Sequence, residues 1–427
     1  MAGLKPFVDA AIVAVGSELL TPMRMDTNSL FITEQLNRLG IDVVMKAAVG
    51  DDRHRLAYVC RAALDRADLL VLSGGLGPTD DDVTREAVAD VLGRTLTEDP
   101  AITAHLRARF EARGFKPPMP ENNKRQAMVP NGAEVLPNGR GSAPGLWIEE
   151  GDRAVVLLPG PPRELKPMLL ALVEGRLRER APGGALMRRV LKITGRIESQ
   201  TDEDLHPLYA EWEHGTPPVA ATILAALGQI ELHLSARAAS REVAERALEA
   251  AAHQACAVLG GDVFSTDGRS MEEVVGGMLT ARGLRIALAE SCTGGLLTSR
   301  LTDVAGSSRY VERAVVTYAN EAKIDLLGVA ADAIAQHGAV SEPVALAMAR
   351  GIRQRSSVDV GVGVTGIAGP GGGTPEKPVG TVAVAVAAAD DSRSRMFRFH
   401  GEREQVKFQA TQAALDMVRR MLDETAR

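Results

Sequence analysis

Cysteine is scarce in this chain, with three residues among 427. Cys60, Cys256 and Cys292 lie far apart and never form a CxxC pair. That usage excludes a disulfide framework and a thiolate zinc site. Aromatic residues are also few, at 3%, which argues against a single-strand nucleic-acid surface built from stacking rings. No apolar run reaches the ~20 residues needed to span a bilayer, and the opening MAGLKPFVDA has no apolar signal core. There is no basic tail, and the formal net charge is −6. General attraction to a polyanion is therefore not expected, although a local pocket for one phosphate is. These absences together lead to the expectation of a reduced, cytoplasmic protein with no membrane contact and no direct nucleic-acid binding.

The chain does hold 45% hydrophobic residues and 42 glycines, which suits α/β layers packed through small side chains. Its length allows two or three domains. Apolar runs at Ala10–Val15, Ile41–Val49 and Leu69–Leu72 alternate with helical periodicity at Thr27–Leu39 and Leu56–Leu64. This βαβαβ rhythm predicts a mostly parallel sheet with helices on both faces. Further helices are expected at Asp82–Leu92 and Ala101–Glu111, a loop at Phe115–Pro120, and a strand at Val155–Leu158. Between Met187 and Leu259 the pattern reads as a small βαββα unit with a hairpin at Leu227-Gly228. From Met271 the α/β rhythm returns, with a strand ending at Tyr318, another at Val358–Val364 and a last one at Arg395–His400. The fold class is α/β: two doubly wound domains, 1–175 and 263–427, joined by a small α+β domain, 176–262.

Two loops could carry chemistry. The first runs from Ser73 to Glu86, SGGLGPTDDDVTRE. Its glycines follow a strand and precede a helix, so backbone amides could approach a phosphate. Asp80, Asp81 and Asp82 would suit a hard divalent cation that keeps waters and bridges to phosphate. The competing reading is an acidic helix N-terminus that stabilises the dipole and ligates nothing. Glu18 and Pro159–Pro162 end other strands and could reach the same edge. Asn122 and Asn123 could be ligands, but turn formation is the blander role.

The second is Arg285–Leu301, RIALAESCTGGLLTSRL. A strand runs into Glu290, Ser291, Cys292 and Thr293, and Gly294-Gly295 then opens a helical pattern. The helix N-terminus should offer unpaired amides to a nucleophile, an oxyanion or a phosphate. Either Ser291 or Cys292 could be the nucleophile. Lys323 could serve the serine as a base if burial lowers its ammonium pKa, although lysines are usually solvated. Cys292 is intrinsically the better nucleophile, with His337 as a conceivable distant partner, but a buried cysteine is commonly inert. The run Gly361–Gly366 contains GxGxxG, yet no helix follows, so a dinucleotide fingerprint is rejected. Thr365 and Gly366 instead offer backbone groups beside a flexible rim. Arg403, at the start of the last helix, could pair with an anion.

The segment Ser73–Glu86, together with Asn122–Ala127, Gly141–Gly145 and Leu158–Leu165, resembles the N-terminal molybdopterin-binding-like domain of the competence/damage-inducible protein A (CinA) family. That resemblance implies a metal-dependent ADP-ribose pyrophosphatase. Ser73, Gly74, Gly75 and Thr79 would contact substrate and Asp82 would take the shared acidic position. Asp80, Asp81 and Glu18 are added as candidate ligands for magnesium or a transition metal, possibly with potassium. Ala289–Gly295, Tyr318–Lys323, Thr365–Pro370 and Lys377–Thr381 resemble the family's C-terminal domain, which is similar to nicotinamide mononucleotide (NMN) deamidases. The resemblance implies Ser291 as nucleophile and Lys323 as its base. Tyr318, Arg403, Thr365, Gly366, Thr293 and Gly294 would contact substrate, with no cofactor at the amide. A homodimer or larger homo-oligomer is expected. The alternatives are a binding or scaffold protein linked to competence or DNA damage, and a molybdopterin-binding protein.

Overall fold

A computed structural model describes residues 5–112, 114, 116 and 118–424. The chain divides into two compact units: residues up to 187 with 236–246, and residues 188–235 with 247–427. The expected loop Phe115–Pro120 lies partly outside the described residues, at Phe115 and Pro117.

The first unit is built on a six-stranded sheet. Its order is Asp42–Val49, Asp9–Val15, Leu69–Ser73, Arg153–Leu158, Gly145–Glu150 and Glu134–Leu136. The first four strands are parallel. The last two pair antiparallel, so the sheet is mostly parallel, as the βαβ rhythm suggested, with an antiparallel edge. The pleat sorts the core into two layers. Ala11, Val13 and Val15 pack with Leu56 and Cys60 on one face. Ala10 and Ile12 pack with Ile32, Leu36, Leu165 and Leu169 on the other. A strand buried on both faces reads as a continuous apolar run, which is why Asp9–Val15 and Leu69–Ser73 were plain in the sequence. Two of the covering helices are capped by Asp26, which accepts the Ser29 amide at 3.0 Å, and by Asp52, which accepts the Arg55 amide at 2.8 Å.

The second unit holds a five-stranded sheet in the order Val311–Val316, Ile286–Glu290, Val360–Gly366, Thr381–Ala387 and Ser392–Arg398. The first three strands are parallel and the last two antiparallel. The glycines of the GxGxxG run have a packing role. A Cβ on Gly361 would lie 2.2 Å from the Ala349 carbonyl oxygen, and one on Gly363 would lie 2.3 Å from that of Ala345. Both carbonyls belong to the helix Glu342–Ser356. Glycine lets strand and helix touch backbone to backbone, as the rejection of a nucleotide fingerprint requires. A smaller sheet orders Val219–Ala226, Gln229–Ala238, Ala185–Ile193 and Val263–Ser265, with the helices Glu198–Glu213 and Arg241–Leu259. No helix among the described residues is long and apolar enough to cross a membrane.

Both large sheets reverse their winding at one place. In the first, Asp9–Val15 lies between the next two strands of the chain, and in the second Ile286–Glu290 does the same. Crevices outside the carboxyl ends of such strands are where open α/β sheets bind ligands. At the first, Gly74 and Gly75 lie against Val15, and at the second Ser291 and Thr365 share a cavity wall.

Several boundaries differ from the sequence reading. The third helix of the first unit is Thr84–Leu92, so Asp82 precedes it. The strand expected to end at Tyr318 ends at Val316. The last strand is Ser392–Arg398, three residues earlier at its start than Arg395–His400.

Candidate active site

Ser291 follows the strand Ile286–Glu290, and its amide donates to the Val364 carbonyl of the neighbouring strand at 2.9 Å. This bond pins the start of the turn to the sheet. The helix Leu296–Thr302 begins only after Gly295. Its free amides are not available to an anion, contrary to the expectation above. The Glu290 carboxylate, fully buried, accepts the amides of Gly295, Leu297 and Thr298 at 2.9, 3.1 and 2.9 Å, and the Thr298 hydroxyl at 2.5 Å. A carboxylate there answers the orphan donors at the dipole's positive end. The turn itself still has a donor to spare. Among the described residues no oxygen accepts the Cys292 amide, which lies against its own thiol.

Lys323 sits in the helix Asn320–Leu327 and is 1% exposed. Its Nζ lies 3.3 Å from Ser291 Oγ, 2.8 Å from the Thr317 carbonyl oxygen and 3.3 Å from that of Tyr318. Carbonyl oxygens only accept. A neutral amine can give them its two N–H groups and turn its lone pair to the serine O–H. Burial lowers the Lys323 pKa from the ordinary lysine value, opposed by Cys292 and Glu321. Burial thus shifts the balance towards the neutral amine relative to a solvated lysine.

Cys292 is 5% exposed, and burial pushes its thiol up to about 12, with Glu290 adding to the rise. A thiol so placed gives little thiolate at neutral pH. His337 is exposed and does not line the cavity in front of Ser291. The two candidates that sequence left level differ in environment: the Lys323 amine is within hydrogen-bond reach of the serine hydroxyl, whereas burial holds the thiol protonated to high pH.

The cavity holds about 250 Å³ and includes Ser291, Lys323, Tyr318, Asn320, Thr365 and Arg403 in its wall. Gly366 also lines it, where a Cβ would meet the Cys292 sulfur at 3.0 Å. The Thr365 hydroxyl donates to the Ala339 carbonyl at 2.9 Å, so its side chain is structural. Arg403 gives Nη1 to the Gly369 carbonyl at 2.6 Å and Nη2 to the Tyr318 hydroxyl at 3.1 Å. Lys377 donates to the carbonyls of His337 and Val340 at 2.9 and 2.8 Å. The glycine-rich rim is thereby held at two points rather than left loose. Thr293 and Gly294 are not in the cavity wall. Thr293 is fully buried, and its hydroxyl has no partner among the described residues. Asn320 was missed in the sequence. The signal was there, because it lies three residues before Lys323 and so shares its helix face.

The loop of the first unit is organised differently. Asp82 accepts the Gly77 amide at 2.7 Å, the Thr79 amide at 2.9 Å and the Thr79 hydroxyl at 2.6 Å. Arg85, 1% exposed, donates to the carbonyls of Leu76 and Gly77, both at 2.9 Å. Asp80 pairs with Arg125 at 2.5 Å. Hydrogen bonding by Thr79 lowers the pKa of the exposed Asp81. Glu18 is exposed on the 3-10 turn Ser17–Leu20. Among the described residues no three metal-ligating side chains converge. Asp82 is spent on its own loop and Asp80 on an arginine, so the four carboxylates Asp80, Asp81, Asp82 and Glu18 do not fit the expected cation cage. Gly74 also gives its amide to Leu158, at 3.0 Å. Part of the predicted phosphate cradle is thus already bonded. Ser73, Gly74, Gly75 and Thr79 remain at the switch point but line neither of two cavities on this unit, one walled by Pro78, Arg109 and Gln126, the other by His105, Val135 and Asn138.

Residues 11–179 match the family model described as "Probable molybdopterin binding domain", and residues 268–422 match "CinA C-terminal domain". A CinA-like protein of Koribacter versatilis is 48% identical over 97% of this chain and 99% of its own length. A CinA-like protein of Solibacter usitatus is 44% identical over 97% of this chain and 98% of its own. Among solved structures, the competence/damage inducible protein CihA from Agrobacterium tumefaciens is 42% identical, covering 36% of this chain and 93% of that one, with a TM-score of 0.35.

Proposed function

The chain belongs to the CinA family, and from that premise we propose that its second unit hydrolyses the carboxamide of NMN to nicotinic acid mononucleotide and ammonia. The observation that carries this reading is the buried Lys323 amine 3.3 Å from the Ser291 hydroxyl, with two backbone carbonyls taking its other hydrogen bonds.

Lys323, neutral, accepts the Ser291 proton as Oγ bonds to the amide carbon. The carbonyl oxygen becomes an oxyanion, for which the Cys292 amide, in the cavity wall beside Ser291, is the candidate donor. One such donor is worth about 3 kcal/mol in a transition state. The C–N bond then breaks, the Lys323 ammonium returns its proton to the leaving nitrogen, and ammonia departs. Water attacks the acyl-serine, gives a proton to Lys323, and the serine is regenerated. Arg403 keeps N–H groups beyond its two bonds and would hold the phosphate at the rim.

The test is ammonia release from NMN by the whole chain beside Ser291→Ala and Cys292→Ala. No release by the unsubstituted protein rejects the reading. Loss in the cysteine variant alone reverses the assignment of the nucleophile.

For the first unit, the switch point between Asp9–Val15 and Leu69–Ser73 supports a diphosphate site, with ADP-ribose as substrate. The reading stops at binding and cleavage of a diphosphate, because the carboxylates as placed form no cation cage. Hydrolysis of ADP-ribose, followed with and without a chelator, tests both the activity and its metal dependence.

A further inference from the structure

A second cavity opens within the second unit, away from Ser291. It holds about 640 Å³ and is walled by the hairpin around Gly228, the strand Ser392–Arg398 with the residue after it, and the last helix. Its size is that of a small-molecule site. None of its residues belongs to the chemistry above.

Two features point to what it takes. The chain has only 8 phenylalanines, yet two lie side by side here. The rings of Phe397 and Phe399 stack at 5.4 Å with an angle of 9° between their planes. The Arg395 guanidinium lies 4.8 Å from the Phe397 ring centre. These i, i+2 residues share one strand face and form a ladder of planar groups along the wall. The charge is also uneven in availability. Asp262 is taken by Arg196 and Arg420, at 3.1 and 2.9 Å, and Asp416 by Arg419 and Arg420, at 2.6 and 2.7 Å. Arg395 has no carboxylate partner among the described residues. Glu198, also in the wall, stands in the first turn of the helix Glu198–Glu213, where the dipole supports it. Finally, the polar side chains behind the wall are fixed rather than open to a ligand: Arg196 Nε and Gln412 Nε2 are shielded from solvent. The Gln412 orientation is fixed, because its oxygen accepts from Arg300 at 2.7 Å.

We propose that this cavity binds a mononucleotide, a flat heteroaromatic ring with a phosphate, as a second ligand site distinct from the serine cavity. The ring lies on the Phe397–Phe399 wall, and Arg395 meets the phosphate. Aromatic stacking and a guanidinium–phosphate pair are each sequence-tolerant contacts, so the class is set by shape and charge rather than by base identity.

The test uses the full chain as Ser291→Ala, which leaves the fold of this cavity intact and prevents turnover. AMP is titrated by calorimetry, beside adenosine and ribose 5-phosphate. Saturable AMP binding is expected, weaker for either half alone. Arg395→Gln, at an exposed position, should weaken AMP at least tenfold while ammonia release in the Ser291-containing chain is unchanged. Phe399→Leu should weaken adenosine but not ribose 5-phosphate. No saturable binding of AMP overturns the proposal. So does an AMP isotherm that Arg395→Gln leaves unchanged in stoichiometry and affinity, binding at the first unit's diphosphate site persisting in either case, or one that is lost instead on Arg403→Ala, which would place the nucleotide in the serine cavity. Because the readout is binding, failure here leaves the amidase reading standing, and failure of that reading leaves this one.

Discussion

The two switch points of this chain use the same topology to opposite ends. In the first unit the acidic loop after Leu69–Ser73 closes on itself. Asp82 and Arg85 are committed to the loop backbone, and Arg125 to Asp80. In the second unit the acid comes before the loop. Glu290 sits at the end of its strand and takes the amides of the following helix, which leaves Ser291 free to face Lys323. A carboxylate placed after the turn stiffens the turn. One placed before it stiffens the helix and leaves the turn for chemistry. The difference teaches that a glycine-rich strand–loop–helix is not by itself a ligand site; what matters is which polar groups remain unspent.

That contrast can be broken most directly at the serine. Ser291→Ala should reduce ammonia release by about 10⁴-fold or more, whereas Cys292→Ala should stay within a few-fold. Steady-state rates of both decide whether the unspent hydroxyl is the reacting group. Next in size is Lys323→Met, which should lose about 10²–10⁴-fold in rate. The pH dependence carries the sign. Lys323 has a folded pKa lowered by burial, and only the neutral amine accepts a proton. kcat/KM should therefore rise with pH through that lowered value, reaching its plateau before the ordinary lysine range, and the limb should vanish in the variant. Stability follows the same linkage. The unfolded chain binds the extra proton between the lowered and the ordinary value, so stability should climb with pH across that window in the native chain relative to Lys323→Met. A flat difference between the two chains would show that Lys323 is not held below its usual range.

The comparison is sharpened at Glu290. Glu290→Gln keeps the shape but cannot accept as many hydrogen bonds with the same strength. Loss of charged acceptors for buried amides should cost about 2 kcal/mol in denaturant melts and lower kcat about tenfold, with KM little changed. A change confined to KM would mean that Glu290 acts on substrate and not on the turn.

Much of this architecture was legible in the sequence because buried parallel strands are apolar runs with no polar interruption. Val13 and Leu70 announce themselves in that way. The antiparallel partners Gly145–Glu150 and Glu134–Leu136 did not, since Trp147, Glu149 and Glu150 mix apolar and acidic residues on a short strand. Ser291 and Lys323 could be named from their motifs, yet periodicity alone left serine and cysteine level. Burial was the missing quantity: it lowers the lysine pKa and raises that of the thiol, and no local spacing reports it. The role of Glu290 was hidden for a related reason. An acid adjoining an apolar strand end reads as the start of a loop, whereas the fold turns it inward under the next helix. Asp82 shows the other direction. Its place in a run of three acids suggests a ligand, while the fold also gives it the amides of Gly77 and Thr79, which spacing does not report.

The smallest expected effect lies at that last residue, and it tests the loop on the other side of the comparison. Asp82→Ala removes three hydrogen bonds from a partly exposed turn, and Asp82→Asn keeps some of them. Net hydrogen bonds contribute about 1 kcal/mol each when well made, and less where solvent can replace them. The alanine variant should therefore destabilise the first unit by about 1–2 kcal/mol, with the asparagine variant in between. Ammonia release should not change in either, because Asp82 touches nothing in the second unit's cavity. Urea melts followed at Trp147, whose ring is buried in the first unit's core, measure the effect. A metal cage would behave differently: the asparagine variant would then match alanine in any ADP-ribose hydrolysis while keeping full stability. If that pattern appeared, Asp82 would be a ligand that only borrows the amides of Gly77 and Thr79, and the two switch points would be alike after all.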